Sequence, residues 1–139
     1  MARQTLNLLG DKALARKLQR MAEASYRRVM RPAIRAGLAP MVRAIRPLAP
    51  QDTGLLAVAI SPKMSRRAAS GRVWVDPAMY VEIDGRTRRA SKYAHLVEFG
   101  TRHLAARPFM RPGAAAARGP ALARVESVAA RELAKEARR

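Results

Sequence analysis

Apolar side chains recur at steps of three and four through the first third of the chain, and two prolines fall inside that run. Leu14, Leu18, Met21, Ser25 and Val29 draw one narrow stripe, and Ile34, Leu38, Met41, Val42 and Ile45 carry it on. Asp11 is a suitable N-cap for a helix that begins at Lys12. Pro32 and Pro40 each remove a backbone donor and crowd the preceding turn. The spacing therefore predicts one long helix over about 12–46, kinked or broken near Pro32 and again near Pro40. Residues 1–11 are left as an N-terminal arm, and Pro47 and Pro50 stop the helix.

Beyond Pro50 the pattern changes to alternation. Asp52, Thr53 and Gly54 make a turn, since Asp and Thr bond nearby backbone donors and Gly accepts positive φ. Leu55 to Ile60 fits a strand or a short helix equally well. In GRVWVD, Val73 and Val75 alternate with Arg72, Trp74 and Asp76; in MYVEID, Met79, Val81 and Ile83 oppose Tyr80, Glu82 and Asp84. Both read as strands, with a break at Asp76 and Pro77. Residues 84–92 read as a flexible basic loop. The last third is helical, with Leu122, Val125, Val128 (or Ala129) and Leu133 as its stripe and a restart at Gly119 and Pro120. The expected fold is α+β in a single domain over 1–139: a long N-terminal helix, a small antiparallel sheet and a C-terminal helix. Alanine supplies much of the 49% apolar content and aromatics are only 4%, so the core is expected to be thin.

Lys and Arg number 28 against 10 Asp and Glu, a formal charge of +18. Such a balance suits nucleic acid, an acidic protein surface or an anionic membrane. It equally suits the solvated surface of an Arg- and Ala-rich chain, since only five of the basic residues are Lys. Between Lys12 and Arg46 lie ten basic residues and one acid, Glu23. Arg16, Lys17, Arg20, Arg27, Arg28, Arg31 and Arg35 there, with Arg86, Arg88 and Arg89 further on, are the candidate contacts to DNA or an acidic partner. A membrane-surface helix fits less well, because the stripe lacks Trp and Phe. There is no cysteine, no signal-peptide pattern and no run of about 20 apolar residues. The expectation is a protein made in the cytoplasm and not bound to membrane.

Groups for catalysis do not converge in the sequence. His95 and His103 stand eight apart with Glu98 between them, unlike a metalloprotease helix with its histidines four apart. There is no Gly-rich phosphate loop and no G-x-S-x-G. Glu82 and Asp84 fit a solvated strand face better than acid–base chemistry. No enzymatic activity, metal, cofactor or small-molecule substrate is expected. A toxin-like nuclease, which the charge alone would allow, lacks an acid–base set.

Three short segments in order carry a likeness. The first holds Pro50, Thr53, Gly54 and Leu55; the second Tyr93, Ala94, Glu98, Phe99, Gly100 and Thr101; the third Pro108, Phe109, Met110 and Pro112, leading into the last helix. This succession resembles the neck or tail-completion proteins of long-tailed phages and prophages. Gly113 departs from the family pattern, which has alanine after the proline, and so do Pro32 and Pro40. The resemblance implies a structural virion protein: a homo-oligomeric ring of six or twelve copies at the head–tail junction, joining connector to tail around a DNA channel, with other neck and tail proteins as partners. From the residues themselves, Tyr93 to Phe99 is expected to be an amphipathic helical turn, with Tyr93, Leu96 and Val97 on one side and His95 and Glu98 more exposed. Gly100 would be its left-handed cap. Phe109, held between two prolines, would close the core. Glu98 would pair with an Arg or cap backbone donors, within or between subunits. The alternative function, from another class, is a small basic protein that binds DNA without sequence preference.

Overall fold

The computed structural model describes residues 12–139, and side chains from residue 19 onward. The arm 1–11, with Asp11, lies outside the described residues, as do the side chains of Leu14, Arg16, Lys17 and Leu18. Helix α1 spans Lys12–Ile45 and is followed by a 3₁₀ turn, Arg46–Leu48. A short helix α2, Leu55–Ala59, runs directly into strand β1, Ile60–Met64. Strands β2 (Gly71–Val75), β3 (Tyr80–Ile83) and β4 (Arg86–Arg89) come next, then α3 (Ala90–Phe99) and α4 (Met110–Glu136). The fold class is α+β, as the sequence implies.

Helix α1 continues through Pro32 and Pro40, so of the two expected outcomes, a kink or a break, the break does not occur. The reason is tertiary. Ala33 and Gly37, beside the prolines, are buried, and packing outweighs the local cost of a lost backbone bond. The partner is α4, which runs antiparallel. Ile45 meets Gly113 at one end, Gly37 meets Ala121 and Val125 midway, and Glu136 meets Ser25 and Arg28 at the other. Alanines 117 and 121 and Val128 are the buried side chains of α4, whereas Leu122 and Leu133 are exposed. The expected stripe is thus half right: Val128 is buried and Val125 meets Gly37 of α1, while its two leucines face outward. Close helix approach selects Gly and Ala, which hydropathy ranks below Leu. Gly119 and Pro120 do not interrupt α4 either. Glycine at 113 has a steric reason: a Cβ there would lie 2.8 Å from the Ile45 Cα and 2.6 Å from its Cγ1.

The sheet is two separate antiparallel hairpins. In the first, β1 pairs with β2 so that Ser61 faces Trp74 and Lys63 faces Arg72. Arg46 fixes its entry, donating from Nε and Nη2 to the Ile60 carbonyl at 3.1 and 3.0 Å. In the second, Tyr80 faces Arg89 and Ile83 faces Arg86. Residues 84–92, expected as a loop, are instead a tight turn at Asp84 and Gly85, strand β4 and the start of α3. Both turn residues have positive φ, 51° and 69°, which suits the twist of a two-residue hairpin.

The core gathers at one end of the helix pair. Val42, Ile45, Leu55, Leu56, Ile60, Ala90, Ala94 and Phe109 form it, with Val73, Val75, Val81 and Val97 packed against them. Phe109 is fully buried, at 0% exposure, and closes the core as expected. No helix among the described residues is long and apolar enough to cross a membrane.

Candidate assembly site

Glu98 is buried, at 5% exposure, not on the outer side of α3. Its carboxylate reaches across to the start of α4. Oε2 accepts from the N–H groups of Phe109 and Met110 at 2.7 and 3.0 Å, and Oε1 accepts from the Arg111 N–H and Nε at 3.2 and 3.0 Å. A helix begins with four N–H groups that have no partner within it. Here Glu98 takes three of them, and Pro112, the fourth position, has none to offer. The expected alternatives, pairing with an Arg and capping backbone donors, both hold, and within one chain. Burial pushes the Glu98 carboxyl up, but the three backbone bonds and the Arg111 side chain together outweigh it. The group sits below its ordinary value.

The second and third segments of the likeness are thus one device. Between them the chain is led by Gly100, at φ 74° and ψ 176°. That is positive φ as expected, but extended in ψ, a region that essentially only Gly enters. A Cβ there would meet the Ala106 nitrogen at 2.7 Å and the Leu104 carbonyl oxygen at 2.8 Å. Thr101 closes the loop: its Oγ1 accepts from the His103 and Leu104 N–H groups. Arg107 N–H returns to the Val97 carbonyl at 2.8 Å. Pro108 is exposed and Phe109 buried, so the loop delivers one ring to the core.

The first segment meets the second at the surface. Pro50, Thr53, Leu55 and Tyr93 line one hollow of about 210 Å³, with Val97 and Arg88 at its wall. Thr53 Oγ1 accepts from the Leu55 N–H at 3.3 Å and so shapes the turn into α2. A second hollow of about 380 Å³ shares Pro50, Asp52 and Val97 and adds Leu104 and Arg107. Phe99 projects from α3 with 67% of its surface exposed, next to the Arg111 guanidinium, 5.0 Å from the ring centre. Residues 97 and 99 stand about 200° apart around a helix. The hollow and the exposed ring therefore lie on opposite sides of α3.

The basic candidates divide. Arg20, Arg27, Arg35, Arg86 and Arg88 are exposed. Arg28 pairs with Glu136 at 2.8 Å. Arg31 donates to the Ser65 and Ala68 carbonyls, and Arg89 to that of Pro77. Those three hold the fold. Sequence reasoning missed Arg46, Arg111 and the hairpin cations Lys63 and Arg72. One signal for Glu98 was present: α4 has no acid in its first turn, so an acceptor had to come from elsewhere. His95 and His103 are exposed while Glu98 is buried. Among the described residues no group of three or more His, Asp or Glu is placed to hold a metal.

A family model described as "Bacteriophage HK97-gp10, putative tail-component" matches residues 12–100. The match takes in α1 through α3 and stops at Gly100, so the Pro108–Pro112 segment and α4 lie beyond it. No curated protein and no solved structure gives a significant match.

Proposed function

The chain belongs to the HK97-gp10-like family of bacteriophage tail components, and from that premise we propose that its copies form a ring at the head–tail junction, joining the connector to the tail around the DNA channel. It is a phage structural protein. The ring has six or twelve copies, and its role is non-catalytic. Its partners are further copies and other neck and tail proteins, and its destination is the virion.

The observation that carries the ring is the two-sidedness of α3. A closed ring is built head to tail, so each subunit needs two different, complementary surfaces. A hollow lined by Leu55, Leu56, Val81 and Val97, with Asp52 and Arg88 beside them, lies on one side of α3 and an exposed aromatic ring on the other. An exposed Phe in a chain so poor in aromatics is a natural anchor for a neighbour. The free DNA-binding alternative gives no role to either surface.

Phe99→Ala is the test, with Tyr80→Ala, another exposed aromatic, as control. Both variants should fold, since substitutions at exposed sites usually change stability by less than about 0.5 kcal/mol. Only Phe99→Ala should fail to complete particles when it replaces the wild-type protein in a phage lacking the gene, scored by electron microscopy of heads and tails. Normal joining with Phe99→Ala would reject α3 as the subunit joint.

A further inference from the structure

We propose that the β1–β2 hairpin is a binding surface for the phosphodiester backbone of duplex DNA. The proposal rests on the reading of the protein as a ring around a DNA channel, and it names the residues that meet the DNA. They are not the helix α1 cations that the sequence singles out.

Residues 53–75 contain no acid and four cations, Lys63, Arg66, Arg67 and Arg72. All four are exposed. Several cations elsewhere are offset by carboxylates. Arg28 of α1 is paired with Glu136 of α4, and β4 with its three arginines comes after Glu82 and Asp84. On the first hairpin nothing of opposite sign intervenes.

Two details point to an anion partner. First, the register sets Lys63 directly opposite Arg72. Like charges in that position oppose pairing, so strand pairing does not explain them. Trp74, two residues from Arg72 and on the same face, lies between the two cations. Lys63 Nζ stands 3.7 Å from the ring centre and the Arg72 guanidinium carbon 5.4 Å. The ring restrains two long side chains that would otherwise roam, so less freedom is lost when they take a phosphate.

Second, the tip is held. Arg31 Nη1 donates to the Ser65 and Ala68 carbonyls at 2.8 and 3.2 Å, and Ser65 Oγ accepts from the Ala68 N–H at 3.2 Å. Ser65 N–H also reaches the Ser70 carbonyl at 2.9 Å. A guanidinium from α1 thus fixes the turn that displays Arg66 and Arg67. Two cations on a fixed tip and two on one strand face make a narrow basic ridge. A line of point charges of this kind suits a phosphate backbone, which carries about one charge per 1.7 Å of duplex axis.

The test uses the whole chain and a short duplex of arbitrary sequence. Trp74 is the only tryptophan, so its emission reports on the ridge directly. Titration with duplex should change that emission. The dependence of log K on log salt should weaken by about 2.7 in Lys63→Gln/Arg66→Gln/Arg67→Gln, at roughly 0.9 for each phosphate no longer neutralised. The α1 triple Arg20→Gln/Arg27→Gln/Arg35→Gln removes the same charge and should change the slope by less than about 1. Unchanged far-ultraviolet circular dichroism and melting would show that both triples fold. Equal losses in the two triples would mean net charge alone is at work and would overturn the proposal. So would absence of duplex binding by the wild type, or a hairpin triple that keeps duplex affinity while losing affinity for polyglutamate, which would assign the ridge to an acidic protein. Particle completion is scored separately through Phe99. Failure of the ridge while Phe99→Ala still blocks joining rejects only the DNA contact, whereas normal joining with Phe99→Ala rejects the α3 joint on which the ring reading rests.

Discussion

Replacing Glu98 with alanine takes the acceptor away from three N–H groups in the first turn of α4 at once. Loss of a cap and of charge-assisted bonds should together cost about 2–3 kcal/mol, a drop in Tm on the order of 10 °C for a domain of this size. The effect should depend on pH in a definite direction. The folded-state pKa of Glu98 lies below the ordinary carboxylate value. Its stabilisation is therefore complete above the unfolded value and disappears as pH falls through the folded one. Glu98→Gln cannot titrate, so the Tm gap between wild type and Glu98→Gln should be widest near neutrality and close in acid. A gap that stays constant down to about pH 3, well into the range where carboxylates protonate, would show that shape, not charge, makes the cap. At this scale the sequence was half legible. That Glu98 would meet an Arg or backbone donors is implied by its being one of few acids in a basic chain. That it would be buried is not, because its partners lie eleven and more residues on, past a loop with no regular period.

Among elements, two glycines of α4 make a matched pair. Alanine is ordinarily better than glycine inside a helix by about 1 kcal/mol. At Gly119 a Cβ meets nothing within 4 Å, so Gly119→Ala should stabilise by roughly 0.5–1 kcal/mol. At Gly113 the same change drives a methyl group into the Ile45 backbone, and it should destabilise by about 1–3 kcal/mol. Opposite signs in denaturant midpoints would confirm that α4 rests on α1 at Gly113; stabilisation by both would dissolve that contact. The elements themselves were legible where a period or a breaker marks them: α1, β2, β3 and α4 all stand near their expected places. Prolines 32 and 40 do not break α1, an outcome a local rule leaves open because it cannot see the helix packed alongside. Leu122 and Leu133 misled for a related reason, since hydropathy does not register how near two helices come. The 84–92 segment misled because β4, four exposed residues with three arginines, has the composition of a loop and is a strand only by virtue of its partner.

For the whole molecule the dominant quantity is its charge of +18, and a six-fold ring would bring six such charges together. At physiological salt the Debye length is about 8 Å, so neighbours are screened only in part. The free protein should therefore stay monomeric or form small oligomers at low salt, and self-associate more as salt rises, while its docking to an acidic template weakens. Light scattering across a salt series measures the first, and a closed ring at low salt with no partner would end the idea of templated assembly. The order of the three motif segments was enough to identify the family, whereas the surface hollow and the hairpin ridge needed the chain folded, since each joins residues from separate elements. The placement of the core has one mechanical consequence. The bulkiest side chains sit where Ile45 meets Gly113, and from there to Glu136 the second helix extends about 35 Å. Along that reach the seam stays closed by buried Val29, Ala33 and Leu38 of α1 and Ala117, Ala121 and Val128 of α4. The bonds of Glu136 to Ser25 and Arg28 close its far end, so the two helices should move as one strut rather than as two levers.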